Sequence, residues 1–147
     1  MNFYAKKSLS IFLIIISLSF CFPAYGEVYT NGPSGGYGGK SFSIWPAFPH
    51  DKMKIDEIRI RAGSLIDSIQ VVYKYTDTGA ISVEGPFGGS GGRQYIFKLD
   101  DDEYIQSMSG YCDNLIHSIK FVTNKKESPN YGGNGGTRFF RDRKSVV

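Results

Sequence analysis

"GPFGGSGG", residues Gly85–Gly92, separates two runs that read as β-strands. Five glycines in eight residues bring no side chains to a core, and glycine loses more backbone freedom on folding than any other residue. Yet the element recurs, as "GPSGGYGG" (Gly32–Gly39) and "PNYGGNGG" (Pro129–Gly136). The three octets hold fourteen of the eighteen glycines, so the richness is patterned and an internal repeat organises the chain. Each octet leads into a polar or basic residue and then aromatics: "KSFSIW", "RQYIF" and "TRFF".

A second element follows the first two octets. "LIDSIQVVY" (Leu65–Tyr73) aligns with "LIHSIKFVT" (Leu115–Thr123). Alternation puts Ile69, Val71 and Tyr73 on one face and Gln70 and Lys74 on the other. "IRIR" (Ile58–Arg61) and "YIFKL" (Tyr95–Leu99) share the period of two. Past the amino-terminal apolar run, no stretch keeps a helical period for three turns. The fold class is therefore all-β. Each repeat reads as a glycine-rich turn with two strand pairs, and three such units around a pseudo-threefold axis would bury their inner faces together.

The amino terminus has a different character. Lys6 and Lys7 precede an apolar run, Ile11–Phe22, and Ala24-Tyr25-Gly26 offers small residues for cleavage. The run is short of the ~20 residues of a membrane span, so residues 1–26 read as a signal peptide, with a lipid anchor on Cys21 as the weaker alternative. Export leaves one small domain, 27–147, in a secreted, extracellular protein. Loss of the two lysines lowers the formal charge from +3 to +1, too little to draw nucleic acid or to drive membrane insertion. Cys112 is then the sole cysteine, a buried and unreactive thiol or one that pairs with a second chain.

These residues resemble the jacalin-related lectins. The resemblance rests on the GPxGGxGG opening, "AGSLIDSIQVVY", "GGSGG" ahead of an aromatic strand, "EYIQSMSGY", "FVTNKK" and "YGGNGG", in that order over almost all of 27–147. It implies a β-prism of three four-stranded Greek-key sheets and a sugar site made of a G-x-x-x-D loop beside a glycine-rich loop. Here "GSLID" supplies Gly63, Ser64, Leu65 and Asp67, and the neighbouring octet supplies Gly91 and Gly92. The chemistry suits glycans of mannose or glucose type. Asp67 can accept charge-assisted hydrogen bonds from two adjacent hydroxyls, the N–H groups of Ser64, Leu65 and Gly92 can donate, and glycine lets the backbone approach the sugar. Neither metal nor other cofactor is required.

The second loop, "DNLIH", places Asp113 and His117 where the pattern has glycine and aspartate. A neutral imidazole offers one acceptor where a carboxylate offers several, so little or no binding is expected there, beside Gly135 and Gly136. In relatives the third such loop lies near the C-terminus, facing Gly38 and Gly39. This sequence ends at "FFRDRKSVV", which implies an incomplete third repeat, one site per chain, and an open strand edge through which copies would pair as a homo-oligomer.

Alternatives exist for each element. The octets can be turns alone, and Asp67 can be a turn residue bonded to its own backbone. Trp45, Phe87, Tyr95 and Phe97 read as packing rather than sugar platforms. "GGYGGKS" fails as a phosphate loop because Ser34 stands where its first glycine belongs. His50 and His117 lack metal-ligand spacing, and Asp100–Glu103 reads as a solvated acidic turn rather than a calcium loop. No catalytic constellation is visible, so an enzyme is not expected. The competing function is a β-prism that has lost sugar binding and serves as a protein-interaction or structural module.

Overall fold

The computed structural model describes residues 52–142. The expectations for the signal peptide, the first octet, Trp45, His50 and the last five residues lie outside them.

Eight strands form two antiparallel sheets. The first contains β1 (Met53–Ala62), β2 (Ile66–Tyr75), β3 (Ile81–Gly88) and β4 (Arg93–Lys98). The second contains β5 (Ile105–Cys112), β6 (Ile116–Thr123), β7 (Tyr131–Gly132) and β8 (Thr137–Asp142). Their spatial orders, β4-β1-β2-β3 and β8-β5-β6-β7, are the same Greek key, with the fourth strand returned beside the first.

The two repeats share fine geometry as well. Pairing of β1 with β2 slips between Ile55 and Glu57 and again between Arg61 and Ala62. Pairing of β5 with β6 slips between Ile105 and Ser107 and between Tyr111 and Cys112. Where β1 has Ile60, β5 has Gly110, and Phe139 directly opposite sets its ring 2.9 Å from where a Cβ would fall. One aromatic ring thus fills the space that an isoleucine fills in the first sheet.

Alternation decides what is buried. Ile58 stands opposite Val71 and Phe97, and Ile60 opposite Ile69 and Tyr95, so all share one face. That face meets the second sheet: Ile58, Ile60, Ala62, Phe97 and Leu99 cluster with Ile119, Phe121 and Tyr131. Two ring pairs join the sheets, Phe97 with Phe121 (6.1 Å, stacked) and Tyr95 with Tyr131 (5.4 Å, tilted). Each adds ~0.5–1.5 kcal/mol beyond its buried area. Phe97 is a buried packing residue, as its alternation suggests, while Tyr95 packs on Tyr131 and remains partly exposed.

Three expectations need correction. The octet Gly85–Gly92 is only half a turn, because Gly85–Gly88 belong to β3 and only the remainder forms the loop. The faces of β2 alternate as expected, but the one that carries Gln70 and Lys74 is not wholly exposed, for Val72 on it, opposite Glu57 and Val83, is buried. The acidic run is also not uniformly solvated. Asp100, Asp101 and Asp102 are exposed, with Lys54 2.5 Å from Asp101 and Lys125 paired to Asp102, but Glu103 is buried.

Glu103 is 3% exposed and fully engaged. The Thr123 hydroxyl donates to Oε1 (2.6 Å), the Asp100 N–H donates to Oε2 (2.9 Å), and Lys126 Nζ lies 3.0 Å from Oε2. Burial works to raise this carboxyl, but these partners outweigh it and hold it at about 2, below the ordinary 4.5. A depressed carboxyl stabilises the fold above its unfolded value and ceases to do so as pH falls through the folded one. Glu103→Gln is therefore expected to lower unfolding free energy by ~1–3 kcal/mol at pH 7. Denaturant titrations should show the gap to wild type closing between pH 4.5 and about 2; a gap that is constant over that range would contradict the assignment.

Candidate functional site

The first loop joins β1 to β2. The Gly63 N–H donates to the Leu65 carbonyl (3.0 Å), which closes a tight turn and leaves Gly63 and Ser64 exposed. Asp67 follows as the second residue of β2, half-buried. The octet is tied on top of it, the Gly89 N–H donating to the Asp67 carbonyl (2.7 Å). Gly91 and Gly92 then pass so close that a Cβ on either would lie 2.5 Å from an Asp67 carboxylate oxygen. Gly92 also has φ +63°, a conformation that favours glycine. The carboxylate therefore rests against bare backbone, which no other residue type provides.

All six residues singled out in the sequence meet here: Gly63, Ser64, Leu65 and Asp67 on one loop, Gly91 and Gly92 on the other. No described residue hydrogen-bonds or ion-pairs with the Asp67 carboxylate, so it is not bonded to its own turn. The Ser64 and Leu65 N–H groups likewise have no acceptor among the described residues. One ionised acceptor with several lone pairs and adjacent free donors is an arrangement that matches vicinal hydroxyls.

The second loop has the same backbone and different chemistry. The Asp113 N–H donates to the Leu115 carbonyl (3.0 Å) and the Gly133 N–H to the His117 carbonyl (3.0 Å), matching the first loop bond for bond. Here, however, the Leu115 N–H donates to Asp113 Oδ1 (2.9 Å), and His117 Nε2 lies 2.9 Å from Oδ2. The Leu115 N–H and then His117 hold the Asp113 carboxyl below the ordinary carboxylate range. The imidazole lies against Gly135, where a Cβ would be 2.8 Å from Nδ1. Asp113 thus consumes the donor and the side chain that a ligand would need. The loop satisfies itself.

Two neighbours escaped the sequence reading. The Arg61 side chain reaches the Gly91 and Gly92 carbonyls, though in the sequence it is only one more polar position of an alternating strand. Gly133, from the third octet, sits against Ser64, with a Cβ there 2.6 Å from the Ser64 oxygen. The third octet therefore borders the first loop as well as its expected partner, the second, an added relation that follows from sheet packing and carries no local sequence signal. Cys112 is half-buried and forms no disulfide among the described residues.

Comparison with known proteins agrees with this architecture. The model of the jacalin-like lectin domain family matches residues 31–147, and the chain belongs to that family. It is 33% identical over 124 residues to a mannose/glucose-specific lectin of Parkia platycephala, covering 83% of this chain and 25% of that one. Among solved structures it resembles Malaysian banana lectin (31% identity, TM-score 0.64, 76% and 78% of the two chains). It also resembles a mannose-binding jacalin-related lectin from Ananas comosus (26% identity, TM-score 0.64, 76% and 78%).

The close approach at Gly92 makes a measurable demand. Gly79 has a similar φ, +72°, with nothing within 4 Å of a Cβ position. Gly79→Ala should cost ~1–2 kcal/mol for backbone conformation alone. Gly92→Ala should cost ~1–3 kcal/mol more, because its methyl would overlap Ala62 and Asp67. Equal losses in chemical unfolding would show that the two loops are not pressed together.

Proposed function

We propose that the protein is a secreted lectin that binds mannose- or glucose-type sugars without metal, at the loop pair Gly63–Asp67 and Gly91–Gly92, on a β-prism. The observation that carries the reading is the Asp67 carboxylate, seated on glycine backbone with no described partner and with the Ser64 and Leu65 N–H groups free beside it. Two adjacent sugar hydroxyls donate to the carboxylate, and the loop N–H groups donate to the ring oxygen and the exocyclic hydroxyl. The sugar specificities in the names of the Parkia and Ananas lectins support this choice of hexose.

A shallow site of this kind binds a monosaccharide near millimolar, about −4 kcal/mol, and gains strength when sugars or copies are clustered. Calorimetric titration with methyl α-mannoside is the test. Asp67→Ala should weaken binding at least ~10-fold through loss of charge-assisted hydrogen bonds, with circular dichroism unchanged. Wild-type protein that binds neither mannose nor glucose would overturn the proposal, as would an Asp67→Ala variant that binds normally.

The self-satisfied second loop gives a complementary test. D113G/H117D removes the internal acceptor and supplies a carboxylate in the position matching Asp67. The number of sugars bound per chain should rise by one, the new site being weaker than the first. An unchanged stoichiometry in a folded double variant would mean that loop chemistry does not decide occupancy.

A further inference from the structure

We propose that Arg61 is a positioning residue for the sugar site, holding the Gly91–Gly92 peptide in its donating orientation. The proposal rests on the reading of the Gly63–Asp67 and Gly91–Gly92 loops as that site. Arg61 lies on β1 beside the loop, and its Nε donates to the Gly91 carbonyl (2.7 Å) while a terminal nitrogen donates to the Gly92 carbonyl (2.8 Å). A planar guanidinium engages two successive carbonyls at once, which an ammonium cannot do with the same geometry.

Its charge has no other described outlet. Arg59, two residues earlier on the same face, lies 2.5 Å from Glu57 and reaches Gln70 Oε1 at 3.2 Å. Arg61 has no carboxylate within ion-pair distance among the described residues, so the loop carbonyls take its hydrogen bonds. The Gly91 carbonyl and the Gly92 N–H belong to one planar trans peptide unit and point in opposite directions. Fixing that carbonyl on the arginine fixes the Gly92 N–H facing away from it, and polarises the N–H into a stronger donor.

The second repeat lacks the device. Tyr111 occupies the corresponding place, opposite Ser118 and Arg138 as Arg61 is opposite Ser68 and Gln94. A phenol has a single O–H and no fork. The loops also part company there, for Gly135 has φ +139° whereas Gly91 is not in the positive-φ region. The clamp accompanies the loop that keeps its aspartate and is missing from the loop that has lost it.

The test compares wild type, R61A and R61K by titration with methyl α-mannoside, amide hydrogen exchange at Gly92, and thermal unfolding. R61A should bind about 10-fold more weakly and R61K about 3-fold more weakly, the lysine recovering one of two charge-assisted bonds. Gly92 exchange should quicken in both, with R61K folded to the same extent as wild type. R61A affinity within twofold of wild type overturns the proposal, as does R61K binding equal to wild type. Weaker binding with Gly92 exchange unchanged also overturns it. If R61A does not fold, R61K decides by the same criteria. Wild-type protein that binds no sugar defeats the underlying functional reading, and Gly92 exchange then still decides the clamp.

Discussion

The close approach of the Asp67 carboxylate to Gly91 and Gly92, which leaves no room for a Cβ on either, is the constraint that shapes this end of the molecule. It requires that two loops from different strand pairs lie closer than any side chain permits. That closeness in turn requires the Greek-key order, in which β4 returns beside β1 and carries the octet over the β1–β2 turn. The glycines that look wasteful in a linear sequence are what allow the approach. Their entropic cost is offset by the inter-sheet core, where Phe97 stacks on Phe121 and Ile60 is wholly buried.

The same backbone is built twice, and comparison of the copies separates scaffold from chemistry. Both loops have matching turn and tie hydrogen bonds, and both octets bring glycine against the residue at the last position of the loop. Apart from the octet backbone, where Gly135 has a positive φ and Gly91 does not, the differences lie in side chains. Gly63 leaves the Leu65 N–H without an acceptor among the described residues, whereas Asp113 captures the Leu115 N–H and His117 together. A carboxylate at the first position of the loop, four residues before the place that matches Asp67, occupies the donors that the first loop leaves open.

Much of this was legible in the sequence because its signals are local. Period-two alternation marks β1, β2, β4 and β6, and glycine spacing marks both loops. The meeting of Asp67 with Gly91 and Gly92 followed from the family resemblance, and the structure brings them together as that resemblance implies. What sequence could not supply depends on partners distant in the chain. Glu103 looks like the end of an acidic turn, yet Thr123 and Lys126 enclose it. Val72 keeps the alternation of faces and is nonetheless buried, opposite Glu57 and Val83 on the strands that flank it. Arg61 is indistinguishable from Arg59 until the octet is placed beside it.

On the proposed reading, the two equivalent loops differ in sugar binding because of what their own side chains occupy. Residue-by-residue amide chemical-shift mapping during titration with methyl α-mannoside examines both loops in one experiment. The largest saturable shifts are expected at Ser64, Leu65 and Gly92, with Leu115 and Gly136 nearly unmoved. Equal shifts at the two loops, or shifts centred on Leu115 and Gly136, would contradict it.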